Sequence, residues 1–167
     1  MLSQPILRPV KRRQLALSDR GSPPTPSGRS VCVSIDRLIP QRPPFRFVDA
    51  LVAASGEEAT FLLELASQDP RLCAGTLAPI FLLEALAQAA AAFYGLQREG
   101  TPESGMLVEI DRSTFLGPAA RGERVELFVR RTRSLGNLVR FTGRATVSGR
   151  VLVAGELTVA RANGQAT

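Results

Sequence analysis

The chain has 167 residues, 44% of them hydrophobic and 22% charged, which fits a single soluble globular domain and implies no second one. It contains no histidine, and this excludes Ser–His–Asp and Cys–His nucleophile systems, HExxH metalloproteases and most zinc enzymes. The net charge of +6 is local: residues 1–30 hold six basic side chains against Asp19, which is +5, and the other fifteen basic and fourteen acidic residues leave +1. A near-neutral domain with one tyrosine, no tryptophan and no nucleic-acid motif is not expected to bind nucleic acid.

Residues 1–34 carry Pro5, Pro9, Pro23, Pro24 and Pro26 among scattered arginines and serines, without any hydrophobic period. They read as a disordered basic tail. The stretch lacks the apolar core of a secretory signal and only faintly resembles an organelle transit peptide, so a cytoplasmic location is expected. Cys32 and Cys73 are too few and too far apart for a disulfide framework or a metal site, and read as free thiols. Neither a metal nor another cofactor is expected.

Order is predicted to begin with a turn of helix at 35–40, followed by an extended run in which Pro43 and Pro44 forbid helix. Two strands are predicted over 45–54 and 58–66, joined at Ser55-Gly56, and then an irregular loop over 67–78. From Pro79 to Gly95 runs a helix that is apolar on almost every side. Such a helix must be buried, and its length of roughly 25 Å approaches the diameter of a small domain. It is short and alanine-rich for a membrane span, and no membrane association is expected. After a polar connection over 98–104, four strands are predicted at 105–115, 123–133, 138–147 and 151–160. Val139, Phe141, Gly143, Ala145 and Val147 alternate with Arg140, Thr142, Arg144 and Thr146, so these strands have one packed face and one wet face. The predicted class is α+β, one antiparallel sheet wrapped around one long central helix. A C-terminal stub over 163–167 is expected to be disordered.

Inside the helix stands a single charge, Glu84, with Gln88 one turn later on the same face. A lone carboxylate in an apolar rod is costly unless something satisfies or uses it. It either bonds a backbone group where the helix meets solvent or a partner, or it serves as a general acid or base beside a helix N-terminus able to polarise a carbonyl.

Two motifs sharpen this choice. The run Ile35-Asp-Arg-Leu-Ile-Pro-Gln-Arg-Pro-Pro-Phe-Arg-Phe-Val-Asp49 resembles the opening of the 3-hydroxyacyl-acyl carrier protein dehydratases, and Phe81-Leu-Leu-Glu-Ala-Leu-Ala-Gln-Ala-Ala90 is similar to the helix of that family. Strand signatures at 109–115, 122–127 and 143–149 extend the resemblance over about residues 35–161. It implies a single hotdog domain over 35–162 that binds an acyl thioester on an acyl carrier protein or on coenzyme A. Glu84 then corresponds to the carboxylate that meets the departing hydroxyl. Ile80, Phe81 and Gln88 are expected at the substrate, with backbone N–H groups at the helix start holding the thioester carbonyl.

The family's catalytic histidine belongs in the loop that here reads Ser67-Gln-Asp-Pro-Arg-Leu-Cys-Ala-Gly75, and Gln41 replaces the histidine usual in the opening motif. Asp69 is a weak substitute for the missing base, if an apolar site raises its pKa; otherwise it is a turn residue before Pro70. Three readings follow from the resemblance. The chain is a divergent active dehydratase, a subunit of low activity in a homodimer or paired with a histidine-containing homologue, or a hotdog thioesterase using Glu84. Arg130, Arg131, Arg133, Arg140 and Arg144, on two adjoining strands, form a candidate docking surface for an acidic carrier protein, or else an ordinary solvated face.

Overall fold

The computed structural model describes residues 33–97 and 105–161; almost all of the expected tail over 1–34, the connection over 98–104 and the expected C-terminal stub lie outside them. A short 3-10 turn at Ile35–Arg37 leads into an extended segment, then β1 (Ala50–Ser55) and β2 (Glu58–Glu64). Next come the two-residue β3 (Thr76–Leu77) and the helix α1 (Pro79–Leu96). The chain closes with β4 (Gly105–Phe115), β5 (Ala119–Ala120), β6 (Arg124–Leu135), β7 (Leu138–Val147) and β8 (Arg150–Arg161). Six strands form one antiparallel sheet in the order β1-β2-β6-β7-β8-β4, while β3 and β5 pair separately.

The period-two pattern does what it predicts. Phe61 and Leu63 of β2, Val125, Leu127 and Val129 of β6, Val139, Phe141 and Ala145 of β7, and Val153, Leu157 and Val159 of β8 are all buried on the face that receives α1. Eleven of the helix's 18 residues are buried, so a segment apolar enough to cross a bilayer is here the core of the domain. Each buried Leu or Phe contributes about 1.5–3 kcal/mol relative to exposure, which is why six strands curl around one rod. At Gly143 the fit is tight: a Cβ there would lie 3.3 Å from Leu86 Cδ2. Glycine lets the helix sit against the sheet backbone at its centre.

Three local expectations are corrected. The strand predicted from Phe45 starts at Ala50, because the backbone of 45–47 bonds a helix side chain instead of a neighbouring strand. The strand predicted over 58–66 ends at Glu64. The loop over 67–78 is not irregular throughout. Cys73 and Thr76 exchange backbone hydrogen bonds of 2.9 and 3.0 Å around Ala74 (φ 50°) and Gly75 (φ 80°), and Thr76–Leu77 then pairs with β5.

The same loop is braced by a buried ion pair. Asp69 Oδ2 accepts from Arg71 Nη2 at 2.6 Å, and Asp69 Oδ1 accepts from Arg71 Nε at 2.8 Å; the side chains are 5% and 11% exposed. Arg71 also donates to the carbonyls of Arg46 (2.7 Å) and Glu64 (3.0 Å). One guanidinium thereby ties the loop, the opening segment and β2 together. Hydrogen bonds from Arg71 hold the Asp69 carboxyl below the usual carboxylate range, against the opposing effect of burial.

Two outcomes follow. Gly143→Val drives methyl groups into Leu86 and lowers the unfolding free energy by about 1–3 kcal/mol in chemical denaturation, and adding Leu86→Ala recovers part of the loss. Asp69→Asn costs about 2–4 kcal/mol. Because the folded pKa of Asp69 is depressed, its contribution is complete above the unfolded value near 3.9 and is lost as pH falls through the folded value. A melting-temperature profile of the wild type therefore drops below about pH 4, and the Asp69→Asn profile is flatter there.

Candidate active site

The apolar helix presents one polar pair, and the structure shows what holds it. Gln88 is 2% exposed. Its Oε1 accepts the Phe47 N–H at 2.8 Å, while its Nε2 donates to the Phe45 carbonyl at 2.8 Å and to Glu84 Oε1 at 2.9 Å. The amide is fully used, as a buried primary amide must be. Gln88 is thus not one of the residues lining the pocket below, contrary to the substrate contact expected of it; it fixes the Glu84 carboxylate and pins the opening segment to the helix.

Pinning that segment makes a pocket of about 350 Å³. Its walls are Phe45 and Phe47 from the segment, Ile80, Phe81 and Leu83 from the first turns of α1, and Leu107 and Ile110 from β4. Glu84 and Gln41 are the polar lining residues. Phe47 and Phe81 stack with ring centroids 5.5 Å apart and planes inclined by 15°, and the Arg71 guanidinium sits 5.8 Å from the centre of the Phe47 ring. Ile80 and Phe81 line this pocket and stay open to solvent, at 56% and 44% exposed.

The helix start supplies fewer donors than the resemblance implies. Pro79 has no N–H, and the Phe81 N–H is taken by the Ala78 carbonyl at 3.0 Å. Ile80 remains as a backbone donor near the pocket. No acidic residue stands in the first turn and no side chain caps it, so the positive end of the helix dipole is not neutralised there.

Asp69 is elsewhere. It does not line the pocket, its carboxylate is occupied by Arg71, and its pKa is lowered where a proton-abstracting role wanted it raised. Among the described residues, no group of three or more Cys, Asp or Glu side chains is arranged to hold a metal ion.

Four of the five arginines, Arg130, Arg133, Arg140 and Arg144, share the outer face of β6 and β7, with Arg133 opposite Arg140, while Arg131 points the other way. Arg131 turns to Glu57 and to Gln97 Oε1 at the C-terminal end of the helix. Arg140 lies between Glu109 (3.0 Å) and Glu156 (3.8 Å). Arg130, paired with Glu58, and Arg144 flank Phe128 at 5.8 and 4.2 Å from its ring centre. Arg133 is exposed and pairs in register with Arg140. In β6 and β7 these side chains alternate with the buried residues that face α1, so Arg130 and Arg144 look away from the pocket.

Sequence reasoning missed Phe45, Phe47, Leu83, Leu107 and Ile110 as lining residues and Arg71 as a brace. The aromatic pair lies within the opening motif and was open to detection; the β4 residues are brought in by the sheet.

The family model for ApeP-like proteins, described as ApeP dehydratase, matches residues 33–167. A 3-hydroxyacyl-[acyl-carrier-protein] dehydratase FabZ of Anaeromyxobacter sp. (strain K) is 32% identical over 133 residues, covering 74% of this chain and 85% of the relative. The FabZ of Methylobacterium nodulans is 30% identical over 140 residues, covering 78% and 87%. Among solved structures, the dehydratase heterocomplex ApeI:P from Xenorhabdus doucetiae superimposes with a TM-score of 0.71 at 20% identity, over 79% of this chain and 93% of that one. Mouse thioesterase superfamily member 2 shares the fold more distantly, with a TM-score of 0.53 at 17% identity over 67% and 80%. With one helix enclosed by an antiparallel sheet and a glutamate held over an apolar pocket, the chain belongs to the ApeP-like family of hotdog dehydratases.

Proposed function

We propose that this chain is the acid-bearing, ligand-holding subunit of a dehydratase for 3-hydroxyacyl thioesters carried on an acyl carrier protein or coenzyme A, and that a histidine-containing homologue completes its site. The observation that carries the reading is a glutamate oriented at an apolar pocket in a chain without histidine. Dehydration needs two proton transfers. A base removes the Cα proton, the electron pair forms the C2–C3 double bond, the C3–O bond breaks, and the departing oxygen takes a proton and leaves as water. Glu84 delivers that proton. The Ile80 N–H, at the unneutralised helix start, receives the thioester carbonyl as charge builds on it.

The base comes from the partner. The sheet order ends at β4, an edge strand on which Met106, Val108 and Ile110 are 68%, 47% and 48% exposed, beside exposed Phe45, Ile80 and Phe81. An apolar edge adjoining a half-walled pocket is a surface that soluble proteins cover. The ApeI:P assembly, a dehydratase heterocomplex of similar fold, supports pairing of two unlike subunits.

Product analysis tests this. The chain alone converts little 3-hydroxyacyl thioester; with a histidine-containing homologue an enoyl thioester accumulates, and Glu84→Gln in this chain lowers kcat on the order of 10²–10⁴-fold. Full activity of Glu84→Gln removes the proposed role, and release of free thiol shifts the assignment to a thioesterase using Glu84. Gln88→Leu unties the carboxylate and also releases the Phe45–Phe47 wall, so it lowers kcat and raises KM together.

A further inference from the structure

The edge strand β4 carries charge as well as exposed apolar side chains. Its ladder with β8 is broken by register shifts at Leu107/Glu109 and Asp111/Thr114, so the regular stretch beside the pocket is Glu109-Ile110-Asp111. Ile110 lines the pocket, and strand alternation sends Glu109 and Asp111 to the opposite, outer face. There Glu109 accepts from Arg140 (3.0 Å) and from Thr158 Oγ1 (3.0 Å), and Asp111 stands in register with Glu156. Arg112 lies 3.5 Å from Asp111 and 3.4 Å from Glu156, and Arg140 is 3.8 Å from Glu156. Three carboxylates thus share two guanidinium groups, an excess of one negative charge at the sheet edge. Elsewhere on this face Arg144 sits on Phe128, and Arg133 lies three strands in from β4.

Symmetry makes that charge decisive for what the edge can pair with. When an edge strand pairs antiparallel with its own copy about a two-fold axis, the residue on the axis faces itself and its neighbours face each other in reverse order. An axis through Ile110 sets Glu109 opposite Asp111 twice. One through Glu109 opposes two copies of Glu109, and one through Asp111 opposes two copies of Asp111. Every symmetric register centred on the regular stretch therefore sets carboxylate against carboxylate, and like charges directly opposite destabilise a strand pair. An unlike strand escapes this, because nothing obliges it to repeat the acidic residues. We infer that Glu109 and Asp111 select the partner of β4: they reject a second copy of this chain and accept a homologue whose edge strand sets basic side chains opposite them. Exposed Met106, Val108 and Ile110 supply apolar area to either pairing, and the carboxylates decide between the two. This deepens the proposed two-subunit dehydratase and rests on it.

The test measures two association constants by analytical ultracentrifugation: self-association of the full-length chain, and its complex with the histidine-containing homologue of the product assay. Raising NaCl from about 0.05 to about 0.5 M strengthens the first and weakens the second. Glu109→Gln combined with Asp111→Asn tightens self-association about 2- to 30-fold, the range for two opposed like-charge pairs, and weakens the complex by about twofold or more. Glu126→Gln, exposed on β6 away from this edge, moves neither constant. A folding defect would weaken both associations, so movement in opposite directions marks partner selection. A wild type that binds itself more tightly than it binds the homologue overturns the inference, as does a double variant in which either constant fails to move as stated. If an active complex forms and ignores these substitutions, the charge rule alone is lost; if no complex forms, the two-subunit reading fails and takes the inference with it.

Discussion

One buried primary amide holds this domain's site in place. Gln88 spends both donors and its acceptor on three partners, two in the opening segment and one on its own helix. That arrangement sets how far Phe45 and Phe47 stand from the helix and which way Glu84 points. Phe47 then meets Phe81 on one side and Arg71 on the other, and Arg71 carries the constraint on to Asp69, Arg46 and Glu64. Buried polar groups so linked are stable together and costly singly, because losing one member leaves its neighbours desolvated and unpaired.

The charge distribution follows a different logic. Most of the net positive charge belongs to residues 1–30, while arginines of the sheet are met by carboxylates on other strands and turns: Arg130 by Glu58, Arg140 by Glu109 and Glu156, Arg124 by Glu64, Arg150 by Glu123. Exposed pairs of this kind are worth about 0–1 kcal/mol each. Their effect is to divide positive charge into small neutralised units across strands. Around Phe128 two arginines, Arg130 and Arg144, gather on one aromatic ring.

Chemically the site is one-sided. It has an oriented carboxylate, a helix start without acidic neutralisation and an apolar chamber, with no imidazole anywhere in the chain. Asp69, the carboxylate of the loop before the helix, serves to brace that loop. The apolar edge strand β4 contributes Leu107 and Ile110 to the wall of this chamber and leaves Met106, Val108 and Ile110 exposed.

The sequence by itself determined the architecture, since that information is periodic and local. Apolar residues on all sides of one segment require a buried helix, and alternation in the strands requires a sheet with a single packed face; both elements fall within a residue or two of their predicted limits except where the 45–47 backbone turns to Gln88. Glu84 was legible as the one charge in the rod, and the absence of histidine as a matter of composition. Only the tertiary structure decided what each polar group does. Whether Gln88 touches substrate or braces a neighbour, whether Asp69 is a base or an anchor, whether five arginines form one patch, and whether Gln41 faces a pocket all depend on partners 2 to 74 residues away in sequence. A hydrogen bond is made by position in space, and no spacing along the chain encodes it.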